Sequence, residues 1–237
     1  MPELSAVILC YRTGDYARTM VREADAVLSA AAIDYELVLV ANLPPSGAPP
    51  DPTPAVLHEL ADANPRIRVV SALKAGMMGW DMRSGLAAAR GRTIAVIDGD
   101  GQMPATDLVR AYQTLHATGA DLVKTYRTKR ADGNLRRILS AVYNGLFHLL
   151  FPASRVWRDI NSKPKLLTRA AYGQMHLQST DWFTDAEIML EAIRLRLAVA
   201  EIPTIFLKNP TRPSFVRLPM LFEFLRNLLR YRFCPPR

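Results

Sequence analysis

The chain has 237 residues, enough to bury a core of its own, and its 49% hydrophobic and 22% charged composition excludes disordered, collagenous and coiled-coil proteins. Two cysteines, Cys10 and Cys234, exclude a disulfide scaffold and point to a reducing, cytoplasmic compartment. The formal charge of +8 is uneven: Lys208 to Arg237 holds seven basic residues against Glu223 alone, and Lys124, Arg127, Lys129, Arg130, Arg136 and Arg137 cluster around Asp132.

Taken in chain order, β-rich runs at Leu4 to Tyr11, Tyr35 to Ala41, Ile67 to Ser71, Thr93 to Asp98 and Asp121 to Tyr126 alternate with helical patterns. The helical patterns cover Tyr16 to Ala31, Pro54 to Ala63, Trp80 to Ala89 and Ala105 to Ala117. This alternation predicts an α/β fold whose mostly parallel sheet carries helices on both faces. Ligands of such sheets sit at the carboxyl ends of the strands, where the Asn42 to Pro54 loop falls. Beyond Tyr126 come a basic loop, a helix at Leu135 to Leu150, the segment Trp157 to Arg169, a helix at Thr184 to Arg196 and a strand at Ala198 to Pro203. A basic amphipathic helix follows Pro219, so the expected organisation is a domain over 1–212 with a membrane-surface tail over 213–237. The opening residues do not read as a signal peptide, and no stretch reaches the ~20 apolar residues of a spanning helix. Membrane contact is therefore expected at the surface.

The strand at Thr93 ends in Asp98-Gly99-Asp100-Gly101-Gln102-Met103-Pro104. Two carboxylates and an amide oxygen separated by glycines offer hard ligands to Mg²⁺ or Mn²⁺, which would bridge a diphosphate. By itself the triplet reads equally well as a solvated turn. Its neighbours extend the pattern: Tyr11 on the opening strand, Lys74-Ala75-Gly76 to Gly79, Gly85 to Gly91, Arg127, Arg136 with Ser140, and Asp159-Ile160-Asn161-Ser162-Lys163-Pro164-Lys165. With these in order the chain resembles family 2 glycosyltransferases of the Rossmann-like GT-A fold. Within them it resembles the dolichyl-phosphate mannose and polyprenyl-phosphate sugar synthases.

The resemblance implies an inverting transferase that moves a sugar from a nucleotide-sugar donor to a polyprenyl phosphate on the cytoplasmic face of a membrane. Asp98, Asp100 and Gln102 would be metal ligands, with Asp98 also at the donor and Asp100 and Arg127 at the reacting centre. Tyr11, Lys74, Gly76, Gly79 and Asp81 would line the donor site. Arg127, Arg136, Ser140, Lys208 and Arg212 would face the acceptor phosphate; Arg136 and Ser140, four apart, share a helix face. The chain departs from the pattern after the second strand, where Asn42 stands in place of paired aspartates. Its amide still offers a donor and an acceptor to a base edge.

A phosphate acceptor is already anionic and needs no base, whereas a hydroxyl acceptor needs a carboxylate, for which Asp185 and Glu187 are the candidates. Both also read as acidic residues favouring a helix start. In Leu135 to Leu150 the polar positions Arg137, Ser140, Asn144 and His148 trace one narrow face. In the tail, Glu223, Arg226, Asn227 and Arg230 oppose Leu221, Phe224, Leu225, Leu228 and Leu229, the pattern of a helix lying in a headgroup region. A rival reading is transfer to a sugar or lipid hydroxyl with Asp185 as base, and another is a non-catalytic nucleotide-sugar binder. Nucleic acid is excluded because the basic clusters alternate with aliphatic rather than stacking aromatic residues. Oligomeric state is not legible in the sequence.

Overall fold

The computed structural model describes residues 1–44, 49–131, 133–208 and 218–234. The first strands are apolar along their whole length because both faces are covered: β1 (Leu4–Leu9) and β2 (Tyr35–Val40) are buried at every position. β3 (Ile67–Val70), β4 (Thr93–Asp98), β5 (Leu122–Arg130), β6 (Lys165–Thr168) and β7 (Val199–Phe206) complete a seven-stranded sheet in the order β3-β2-β1-β4-β6-β5-β7. All neighbours run parallel except β6, which lies antiparallel between β4 and β5.

Helices α1 (Tyr16–Ala30), α2 (Thr53–Ala63), α3 (Met78–Ala88) and α4 (Thr106–Thr118) follow the first four strands in turn. Helix α1 buries Ala17, Met20, Val21, Ala24 and Leu28, a stripe at helical spacing that packs on Ile8, Leu37 and Leu39. Gly119 closes α4 in the left-handed region at φ 65°, which glycine adopts without steric cost. On the opposite face Gly85 lets α3 lie close against Val7 and Val40. The expected strands and helices are all present, with β5 extended to Arg130 and β7 to Phe206.

Three elements are additional: β6, the short α6 (Arg169–Gln174) and a 3-10 turn at Pro152–Val156. β6 holds only four residues and carries the wholly buried Lys165, so neither length nor alternation marked it.

Helix α5 (Asn134–Leu150) turns Tyr143, Phe147 and Leu150 to the core and leaves Ile138, Val142 and Leu149 exposed. Helix α8 (Leu218–Phe233) is seated on α5 and on the start of α7 (Thr184–Leu195). Leu228 is fully buried, the Phe224 and Tyr143 rings stand 5.2 Å apart, and the Tyr231 ring packs at a tilt 5.0 Å from that of Phe183. Asn227 donates to Asp181 at 2.7 Å and the Tyr231 hydroxyl to Glu187. The face presented outward is therefore Leu225, Leu229 and Phe233 between Arg226, Arg230 and Arg232; Asn227 and Leu228 belong to the inner face. Among the described residues no helix is long and apolar enough to cross a membrane.

Leu228→Ala should cost about 2–4 kcal/mol in urea denaturation because it opens a cavity under α8. A loosely attached tail would show no change.

Candidate active site

The acidic turn grows from the end of β4. Gly99 admits the end of β1: a side chain there would meet Cys10 Sγ and the Leu9 carbonyl at 3.0 Å. Gly101 has φ 69° and lies against the Tyr16 hydroxyl, where no side chain fits. Asp100 accepts from the Gln102 amide nitrogen at 3.1 Å, a local turn that aspartate favours. Gln102 is a clamp on β7: its side-chain nitrogen donates to the Leu207 carbonyl at 3.1 Å and its own carbonyl accepts from the Leu207 amide at 2.8 Å. This brings exposed Lys208 beside the turn. Arg212 lies outside the described residues.

Asp98 faces a lysine that sequence reasoning quoted without a role. Antiparallel pairing of Val96 with Lys165 carries on to set Lys163 opposite Asp98. Lys163 Nζ lies 3.0 and 3.1 Å from the two Asp98 oxygens and 2.9 Å from Asp185 Oδ2. Lys165 Nζ holds Asp185 Oδ1 at 2.6 Å. Burial opposes charge on Lys163, but the Asp185 and Asp98 carboxylates outweigh it and raise its pKa. Burial likewise would raise Asp185, and the two ammonium groups instead lower it. Lys165, shielded from water and facing Lys163 as well, falls to about 8.

The reading of Asp185 as a base for a hydroxyl acceptor is corrected by this placement. It is 3% exposed, and each oxygen is taken by a lysine. Glu187 is buried too, accepting from the Gln178 and Ser179 amides at 2.7 and 3.0 Å and from Tyr231.

The expected donor residues form a second group. Lys74 Nζ sits 3.9 Å above the Tyr11 ring and pairs with Asp81. Burial pushes the Lys74 amine down and the Asp81 carboxyl up, each toward its neutral form, against the attraction between them. Asn42 is fully buried and its amide is spent within the protein: it donates to Asp81 at 2.8 Å and Ser84 at 3.0 Å and accepts from the Ala72 amide at 3.0 Å. A base edge has nothing left to read there, which corrects the expectation for Asn42. Asp81, 2% exposed, is likewise an internal partner. Gly76 and Gly79 serve packing rather than nucleotide approach: a side chain on Gly76 would meet Thr180 at 2.7 Å, and one on Gly79 would strike Thr184 and Asp181.

A third group lines a cavity of about 880 Å³ between the end of β5 and the polar face of α5. Its walls carry Arg127, Lys129, Arg137, Arg158, Ser140 and His148, with Asp159 as the one acid among the lining residues. The register of β5 against β7 shifts between Arg127 and Lys129, so that both reach the cavity wall. Arg127 grips Asp159 with two parallel bonds of 2.7 and 2.8 Å. Ser140 lines the cavity as expected, whereas its partner in the wall is Arg137 rather than Arg136. His148 Nδ1 is 2.8 Å from Ser154 Oγ, and burial, then the Lys124 charge, lower its pKa. In the sequence Lys129 stands out only as part of a basic cluster and Arg158 not at all, because only the fold brings their strand and loop to α5.

The acidic turn suits a hard divalent cation. Among the described residues no three His, Cys, Asp or Glu side chains converge as a metal site, so a cation at this turn would draw on the Asp98 and Asp100 carboxylates and complete its shell with water and substrate oxygens. Mg²⁺ is commonly bound through one or two carboxylates plus substrate phosphates.

Asn42→Asp should destabilise the protein by about 2–3 kcal/mol at neutral pH, because a carboxylate would face Asp81 and two hydrogen bonds would be lost. Altered nucleotide preference with unchanged stability in urea melts would restore Asn42 as a base contact. A second prediction concerns acid. Burial would raise Asp159, but Arg127 overrides it and holds the carboxyl down from 3.8 to about 2. The native state thus binds fewer protons than the unfolded one, and the pair's stabilisation is present above about pH 4 and lost as pH falls toward about 2. The stability difference between the wild type and Asp159→Asn should narrow over that interval; a constant difference would refute the pairing.

The described geometry has counterparts among known proteins. The family model described as glycosyl transferase family 2 matches residues 5–179. Succinoglycan biosynthesis protein ExoO of Rhizobium meliloti (strain 1021) is 29% identical over 141 residues, which is 59% of this chain and 38% of that protein. The chain thus spans well under half the length of that relative. Glucosyl-3-phosphoglycerate synthase from Mycobacterium tuberculosis, in a crystal structure with Mn²⁺, UDP and phosphoglyceric acid, superposes with a TM-score of 0.72 at 18% identity, covering 100% of this chain and 80% of that one. Its complex with Mg²⁺ and UDP gives 0.71 at 18% identity, covering 100% and 81%. At such identity the likeness establishes the fold, which is the GT-A arrangement of these enzymes, and the family match establishes the rest: the chain belongs to glycosyl transferase family 2.

Proposed function

We propose that this protein is an inverting glycosyltransferase that moves a sugar from a nucleotide diphosphate to a polyprenyl phosphate at an anionic, cytoplasmic membrane surface. The observation that carries the reading is the basic cavity standing next to the acidic turn. The two are joined by the short segment from Asp159, paired with Arg127, to Lys163, paired with Asp98.

Donor and acceptor are divided by charge. Tyr11, Lys74 and the carboxylates of Asp98 and Asp100 border the donor side, and Mg²⁺ or Mn²⁺, when bound, supplies Lewis-acid stabilisation of the departing diphosphate. On the acceptor side Lys129, Arg137, Arg158 and Ser140 neutralise and orient a phosphate whose oxygen is already anionic, so the attack requires positioning rather than a base. The engagement of Asp185 with two lysines favours this acceptor over a hydroxyl. Complexes of the structurally similar glucosyl-3-phosphoglycerate synthase hold phosphoglyceric acid, which supports a phosphate-bearing acceptor in this fold.

The lipid part of the reading rests on the outer surface. Ile138, Val142 and Leu149 of α5 and Leu225, Leu229 and Phe233 of α8 are exposed beside Arg226, Arg230 and Arg232. Apolar side chains entering the acyl boundary between cations at headgroup level describe an interfacial helix pair. Each cation near an anionic leaflet contributes about 1 kcal/mol.

Radiolabelled nucleotide sugars, offered with Mn²⁺ to short polyprenyl phosphates in anionic vesicles, should yield labelled lipid, and the protein should float with those vesicles. Labelling of a water-soluble phosphorylated acceptor in their place would replace the lipid with that acceptor. Failure of calorimetry to detect any nucleotide sugar would reduce the protein to a non-catalytic member of its family.

A further inference from the structure

Lys163 joins the acidic turn to the protein interior. Its ammonium is nearly equidistant from both Asp98 oxygens, at 3.0 and 3.1 Å, and so occupies the fork of the carboxylate. A second carboxylate, Asp185, pulls the same ammonium from behind at 2.9 Å and is itself held by Lys165 at 2.6 Å. The four groups alternate in sign and sum to zero. Lys163 cannot swing away freely: its side chain is 5% exposed, and its backbone carbonyl accepts from Thr125 Oγ1 at 2.5 Å.

We propose that Lys163 is a positioning residue that sets the cation affinity of the acidic turn, acting as a tethered counter-ion which competes for Asp98, with Asp185 governing how strongly it competes. The inference rests on the reading that this turn receives a divalent cation. Two positive charges contend for one carboxylate, so the ammonium lowers the affinity for an incoming cation. Asp185 shares the ammonium and thereby lessens its hold on Asp98. A nucleotide diphosphate reverses the balance, because its own negative charge is attracted both to the ammonium and to the metal. Cation binding is then weak without nucleotide and strong with it.

The opposing signs of the two neighbours provide the test. Free Mn²⁺ is counted by electron paramagnetic resonance during titration of the protein alone and with UDP. Lys163→Met removes the competitor and should tighten binding without nucleotide roughly tenfold, while lessening the gain that UDP confers. Asp185→Asn takes away the carboxylate that shares Lys163 with Asp98, strengthens the lysine's hold on Asp98, and should weaken binding by a similar factor, roughly tenfold. Lys163→Arg keeps the charge and should remain close to the wild type. Melting temperatures accompany each titration. If Lys163→Met does not fold, Lys163→Gln takes its place.

A purely structural role would lower both melting temperatures and move Mn²⁺ affinity in the same direction, or not at all, in the Lys163 and Asp185 variants. Either result overturns the proposal. So does a failure of both the wild type and the Lys163 variants to bind Mn²⁺. Because the readout is the ion rather than product, sugar transfer by the wild type with unchanged Mn²⁺ affinity in the variants would sink this inference alone and leave the proposed reaction standing.

Discussion

β6 runs against its neighbours, and that reversal organises the site. An antiparallel strand between β4 and β5 reads in the opposite direction, so the residues just before it face the carboxyl ends of the strands on either side. Lys163 consequently meets Asp98 at the end of β4, and Asp159, slightly earlier, meets Arg127 at the end of β5. A parallel strand in the same place would have sent this segment to the far edge of the sheet. One stretch of chain thus contributes a cation to the acidic turn and an anion to the basic cavity.

The ionic groups beneath the site extend this arrangement into the core. Lys165 pairs across to Lys124 on β5, and Lys124 reaches Glu201 on β7 at 2.5 Å. Charges so placed cost desolvation, which their partners offset only through good geometry. They contribute little to net stability and much to position, because a buried ion that loses its partner is penalised heavily. This is why Asp185 and Asp81, both acidic and both at plausible sites, act as anchors. Their neighbours are fixed lysines, and the oxygens that would serve a substrate are already engaged.

Helix α5 lies between two environments. Its polar face closes the basic cavity, an intermediate face packs Tyr143 and Phe147 inward, and the remaining face is apolar and exposed. Helix α8 covers part of it through Phe224 and Leu228 and carries its own apolar residues outward among arginines. The tail is therefore seated on the domain by specific contacts, and the two helices together present one surface.

The alternation of strands and helices over the first half of the chain was legible because apolar runs and amphipathic stripes are local properties, and so was the acidic turn, whose carboxylates and glycines are adjacent in sequence. The polar stripe of α5 followed from helical spacing alone. What the linear order left open was partnership. Asn42 looks available to a base until its amide meets Asp81, Ser84 and Ala72. Gly76 and Gly79 look like a ligand loop until Thr180 and Thr184 close on them. Lys163 has no evident role until an antiparallel strand of four residues sets it against Asp98. Composition and periodicity determine which segments form and which faces bury; only the packed sheet decides which hydrogen-bonding and charged groups are consumed inside the protein, because those pairings join residues from 30 to 65 positions apart.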